Sequence, residues 1–330
     1  MADLLTVELA KFINTVSLKT IPAAAVTGIR WRLLEAMATA FGTAPDYQDG
    51  GHEFSSSEHF TAAQKGAQAL DEQQILPILS ALTNGLLLHS RSENENSAHA
   101  FRQIDSAILP AAWAVSDAQQ RDGKTFMEAL AVGYATTATL AILLADETDH
   151  AWNAGVSSGT VGAAAAAAKA RGLSEQATMH ALGMAAGQAM QLANNAGSGF
   201  ESCEWGGSES FAHDATDLPG PGRAAMDGVL CANLAAMGAP SPSELHERLQ
   251  DIRMVKLGAS PLAITWFPDV QETQTLSQAQ IEQQFMDRVL PIAGQDKAQA
   301  LIESVRNMDQ VPPGQLMAYV MGRTGRQLHS

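Results

Sequence analysis

AAAAAAKARGLSEQATMHALGMAAGQAMQLANNAGSG, residues Ala163 to Gly199, is the stretch on which the fold turns. Alanine loses no side-chain entropy on entering a helix, so the run from Ala163 to Ala170 reads as helix up to a stop at Arg171-Gly172. Ser174 restarts a second helix, in which alanine or glycine at 181, 183, 185, 186, 187 and 189 lets another backbone come close. Helices with so little bulk do not enclose a core from outside. They are expected to form the tight centre against which larger helices pack. The methionines Met179, Met184 and Met190 read as core filling.

Outward from this centre, the pattern is helical almost everywhere. Leu5, Leu9, Phe12, Ile13 and Val16 share one face; Ile29, Leu33, Ala36, Met37 and Ala40 share another, on a helix from about Ala24 to Gly42. Further helices are expected over Thr61 to Leu70, after Leu76-Pro77 to His89, Ser106 to Gln120, Lys124 to Leu144 and Gly222 to Gly238. A short one follows from Pro240 to Leu249. The last two are Leu276 onwards, with Ile281, Phe285, Val289 and Leu290 on one side, and Asp296 to Met308. Only Ile252 to Val270 has a faint strand flavour. No fixed-period repeat and no strand-helix alternation occurs, so the expected class is all-α, a single helical domain over residues 1–330.

The chain has 330 residues and a formal net charge of -15. Such an acidic balance, with no Lys/Arg cluster to offset it, makes nucleic acid and anionic membranes poor partners. The N-terminus MADLLTVELAKF carries Asp3, Glu8 and Lys11 within its apolar pattern and does not read as a secretory signal. No run is expected to span a membrane, which takes roughly 20 apolar residues. The two cysteines, Cys203 and Cys231, are in no metal-type spacing, and a reducing, cytoplasmic setting is expected.

Three polar breaks interrupt the helices: Ser90 to Asp105, Asp146 to Ser158 and Phe200 to Pro221. They hold most of the groups that could carry chemistry. His99, His150 and His213 fall one in each, and an imidazole is suited to moving protons near neutral pH. Gly155 to Gly159 fits G-x-S-x-G, but a nucleophile elbow needs a preceding strand; Ser157 or Ser158 is better read as a helix N-cap. Gly197-Ser198-Gly199 lacks the third glycine of a dinucleotide loop. Cys203 lies between Glu201 and Glu204, which disfavour a thiolate.

The ordered pieces LAKFI, NGLLLH before a polar loop, AILPAAWAV, FMEALAVGYA, SSGTVGAAAAAAKARGLSEQATMHALGMAAGQA and GRAAMDGVLCA resemble the large helical domain of the MmgE/PrpD family. That family includes 2-methylcitrate dehydratase, cis-aconitate decarboxylase and iminodisuccinate epimerase. The resemblance runs from about Leu4 to Gly238, and Leu276 to Met308 resembles the family's C-terminal helices. It implies an enzyme that abstracts a proton next to a carbonyl and expels a group, without a cofactor; a His/carboxylate metal site is not expected, since no local ligand spacing such as H-x-x-x-H occurs.

Two departures accompany it. Where family members carry a smaller α/β domain, only the irregular stretch 239–275 stands here. The family's aspartate-rich loop and histidine are replaced by SRSENENSAHAFRQ; Asn153 stands where a histidine is usual, and Asp217 where a lysine is usual. No family catalytic residue is carried over.

The replacements still imply chemistry. Glu93, Glu95, Glu201, Glu204, Glu209, Asp214 and Asp217 against Arg91 and Arg102 would repel a polycarboxylate, by about 4 kcal/mol per close pair at an effective dielectric near 20. The expected substrate is a small neutral or cationic molecule. Glu95, His99, His150, His213 and Asp217 are the candidate catalytic groups; Asn96, Arg102, Trp152 and Asn153 are the candidate substrate-binding ones. A lyase or isomerase is expected, the alternative being a non-catalytic binding or scaffold protein on the same fold. A homodimer is expected to cover the face left open by the reduced domain.

Overall fold

The computed structural model describes residues 5–41, 72–90, 99–144, 156–197, 219–242, 246–247, 250, 257–258, 260–266 and 278–320. The helices are α1 (Leu5–Thr15), α2 (Ala23–Phe41), α3 (Glu72–Ser90), α4 (His99–Ala118), α5 (Gly123–Leu144) and α6 (Ser157–Arg171). After them come α7 (Glu175–Gly197), α8 (Pro219–Ala236), α9 (Gln278–Ala293), α10 (Gln295–Arg306) and α11 (Pro313–Val320), with a 3-10 turn at Met308–Gln310. Among the described residues there is no strand, so the fold is all-α.

The central helix is α6, the alanine run. All of its residues except Lys169 and Arg171 are buried, because α4, α5, α7 and α8 surround it. Side chains no larger than a methyl leave no ridge, so these neighbours approach to backbone contact. A methyl placed on Gly228 of α8 would lie 2.5 Å from the Cβ of Ala163 and 2.6 Å from the amide nitrogen of Ala164. α6 stops where the sequence says it should. Gly172 takes the left-handed conformation (φ 74°, ψ 40°), its N–H donates to the carbonyls of Ala168 and Lys169, and the N–H of Leu173 also donates to Ala168. Arg121 reaches across to donate to the carbonyls of Ala170 and Arg171, at 2.7 and 2.8 Å. The second helix starts as expected too: Ser174 Oγ accepts the N–H of Ala177 at 3.2 Å.

Larger side chains form the outer packing. Phe126, Met127, Leu130 and Tyr134 on α5, with Ile108 and Leu109 on α4, are fully buried, and Leu5, Leu9 and Ile13 of α1 join the same core. The helix α5 is long and apolar enough to cross a membrane, unlike the sequence expectation, and 89% of its apolar window is buried inside the bundle. Its apolarity serves contact with α6 on one side and the 3-10 turn on another. Met179, Met184 and Met190 pack partly buried against the core.

Several boundaries differ from the sequence expectation. α3 starts at Glu72, with Pro77 inside it rather than before it. Pro77 is the sixth residue of the helix, so the ladder lacks the bond that an N–H there would donate to the carbonyl of Gln73. α4 starts at His99, so the first polar break is shorter than expected; Gln103 and Asp105 belong to a helix and are buried. Ser157 is not an N-cap. Val156 holds that position with no side-chain bond, and Ser157 is the first helical residue. Leu290 is 42% exposed, on the side of α9 away from Ile281, Phe285 and Val289. Residues 261–266 are not strand; the N–H of Thr265 donates to Thr139 Oγ1 (3.0 Å), and Trp266 packs edge-on to Phe12. The helix expected over Thr61 to Leu70 lies outside the described residues.

Candidate functional site

The three polar breaks separate α3 from α4, α5 from α6 and α7 from α8, and of the flanking helices α3, α4, α5, α6 and α8 come into close contact. A methyl on Gly85 of α3 would be 2.7 Å from the Cα of Gly222 on α8 and 2.7 Å from the carbonyl oxygen of Ser106 on α4. A methyl on Gly159 of α6 would lie 3.2 Å from the Cβ of Ala107 on α4, and one on Gly220 of α8 would lie 3.1 Å from the Val156 side chain. Thr137 of α5 bonds its own helix at Gly133 and reaches the carbonyl of Ser158 at 3.5 Å. The C-terminal half of α3, the first turns of α4, α6 and α8, and the last turns of α5 therefore form one end of the bundle. α7, leaving the turn at Gly172 at the other end, runs back along α6 and α8.

Small residues make this convergence possible. Where α3, α4 and α8 cross, glycine at 85 and 222 lets backbone meet backbone, which any Cβ would prevent. The N-termini of α6 and α8 meet here, Gly220 against Val156, and their free N–H groups favour negative or polar acceptors.

The sequence-derived site residues fall at this end of the chain order. His99 and Arg102 open α4, and the structure describes their backbone. Glu95, Asn96, His150, Trp152, Asn153, His213 and Asp217 lie outside the described residues, as does Cys203. Their helical flanks are brought together; their side-chain geometry is not part of what is described.

Other groups at this end escape a reading of the sequence. The hydroxyls of Ser106 and Ser157 are buried and, among the described residues, have no hydrogen-bond partner. Leaving a buried hydroxyl unpaired costs about 1–3 kcal/mol, which a polar ligand group would offset. On α8, Arg223 Nε donates to both carboxylate oxygens of Asp227, at 3.0 and 2.8 Å. Asp227 is 1% exposed, and burial raises its carboxyl pKa although Arg223 pulls it down. One turn further, burial and then Asp227 push the Cys231 thiol up to about 12, so it is an inert core group. The Arg223/Asp227 spacing of four was legible on a helix; the unpaired serines were not, since nothing local marks them.

Among the described residues, no group of three or more His, Cys, Asp or Glu could hold a metal ion. A comparison with curated proteins gives no match. The profile of the MmgE/PrpD N-terminal domain does match, over residues 7–258. That span takes in all three junctions and every helix that brings them together, and the chain belongs to the MmgE/PrpD family.

Proposed function

We propose that the chain is an enzyme of the lyase or isomerase type, moving protons on a small neutral or cationic organic molecule at the end of the bundle where its three polar breaks are joined. The observation that supports this most is the backbone-close meeting of α3, α4, α6 and α8 at that end, with two unpaired buried hydroxyls beside it. In this reading His99, His150 and His213 take up and return the proton. Glu95 and Asp217 orient a histidine or act as bases, while Asn96, Arg102, Trp152 and Asn153 hold the substrate. A base removes a proton next to a carbonyl, and the electron pair left on carbon expels a neighbouring group or is reprotonated elsewhere; a positioned base contributes about 100- to 10,000-fold. No cofactor is required for that chemistry. The protein works as a cytoplasmic homodimer.

The test is a screen of neutral and cationic metabolites with the purified protein, followed by mass spectrometry of the products. The variant His99→Ala/His150→Ala/His213→Ala is expected to lose turnover of any substrate found; unchanged turnover in it would sink the assignment. A second reading is a non-catalytic binding or scaffold protein. Asn153 and Asp217, standing where relatives usually have histidine and lysine, favour it. It predicts compounds that bind and are recovered unchanged.

A further inference from the structure

A second polar cluster lies on the other half of α7. Ser241 Oγ sits between two imidazoles: it makes a short hydrogen bond with His246 Nε2 and lies 3.2 Å from His180 Nδ1. The other nitrogen of His246, Nδ1, is 2.8 Å from Thr6 Oγ1, which is buried on α1. From His180 or Gly183 to the end of α7 at Gly197 is about 20 Å of helix, so this cluster is apart from the junction of the polar breaks.

The sequence holds these groups in place. Pro240 and Pro242 flank Ser241 and restrict its backbone, and its N–H donates to His180 Nδ1 at 3.3 Å. A backbone N–H can only donate, so Nδ1 of His180 is an acceptor there, and the neutral ring carries its proton on Nε2. Gly183 leaves the room: a methyl there would lie 2.7 Å from Ser241 Oγ and 2.8 Å from His246 Cε1. His246 is 8% exposed, while Ser241 and His180 remain partly open to solvent.

We propose that Ser241 is a nucleophilic serine, with His246 as its base and Thr6 orienting that base, and that it accepts acyl groups from small activated esters or thioesters. The three groups stand in the order such a nucleophile needs: hydroxyl, imidazole within hydrogen-bond reach, and a third group on the far ring nitrogen. With Nδ1–H donated to Thr6 Oγ1, Nε2 carries the lone pair facing Ser241. Ser241 Oγ bonds to the acyl carbon as its proton passes to His246 Nε2. The C–O or C–S bond to the leaving group then breaks, and the alcohol or thiol departs with that proton. Water, deprotonated by the same Nε2, later cleaves the acyl-serine, giving the free acid and restoring the hydroxyl. Burial, and then the neighbouring His180, lower the pKa of His246, so the ring is neutral and able to act as a base at pH 7.

The experiment uses the full chain with a fluorophosphonate probe, in which Oγ replaces fluoride on phosphorus and the hydroxyl proton leaves by way of His246. Labelled peptides are identified by mass spectrometry. The expected result is one label per chain, on Ser241, in the native protein and not after heating. In His246→Gln, with its helical circular dichroism intact, the labelling rate should fall on the order of 100-fold. In the unaltered protein the rate should rise with pH through an apparent pKa below 6.5, the ordinary histidine value. In His246→Ala, free imidazole should restore part of the rate, which a purely structural role for His246 would not allow. No label, a label on another residue, or an unchanged rate at Ser241 in His246→Gln would each overturn the proposal. The site of labelling in the unaltered chain decides even if Ser241→Ala fails to fold.

Discussion

Asp105 answers to two partners at once. Arg32 Nη1 donates to its Oδ2 at 3.0 Å, and the hydroxyl of Tyr134 donates to its Oδ1 at 2.7 Å. Arg32 is 2% exposed, and Trp31 covers its guanidinium, which lies 4.5 Å from the ring centre. A charge this deep is tolerable only while it is paired. Tyr134 stays protonated, since burial and then Asp105 raise its pKa well above the ordinary tyrosine value. Asp105→Ala removes the 3.0 Å partner of the buried guanidinium, leaves the longer pair with Glu35 (3.8 Å) in place, and is expected to lower unfolding free energy by about 3 kcal/mol. Tyr134→Phe removes one bond to a charged acceptor and should cost about 1.5–3 kcal/mol. Urea unfolding of the two variants checks the order; equal small losses would contradict it. Arg32 and Asp105 are 73 positions apart in sequence. A chain reading placed Asp105 at the edge of a polar loop, because nothing near it names a guanidinium from α2. His180, Ser241 and His246 carry no local mark for the same reason: their neighbours are assembled by α1, α7 and the segment after α8.

At the scale of the element, legibility followed the strength of the local signal. Six consecutive alanines and a following glycine were enough to place α6, its end and its central position. The start of α4 is hidden in the sequence by the polar residues around it, although Gln103, Ile104 and Asp105 are buried in the helix. Ser157 misled in the opposite direction: serine at a helix start usually caps, yet here the hydroxyl is buried and unpaired. The spacing between α6 and α8 carries a prediction of its own. In an isolated helix Gly→Ala would stabilise by up to about 1 kcal/mol. Gly228→Ala should do the reverse, because its methyl would meet the backbone of Ala163 and Ala164, which no side-chain rotation relieves. A loss of about 1–3 kcal/mol is expected in thermal or urea unfolding. A gain in stability would mean that α6 and α8 are further apart than described.

For the whole molecule, the family and the all-α class were readable because the ordered pieces recur along most of the chain, and the profile match from 7 to 258 covers that span. The site was legible only as an address. The sequence names three polar breaks, and the structure brings helices that flank them into contact; that the breaks form one site, and the catalytic roles within it, belong to the proposal. The proposed homodimer has a direct reading: light scattering on dilute protein should give the mass of two 34.8 kDa chains, and one chain alone would count against it.

The burial of α5 also bears on how the chain is born. As it leaves the ribosome, Gly123 to Leu143 presents the same greasy cylinder that targeting factors recognise in a membrane protein. What spares it is the order of synthesis: α6, with which it packs most extensively, is the next helix made, so the contact that hides it is local and forms early. The alanine helix thus covers the segment translated just before it.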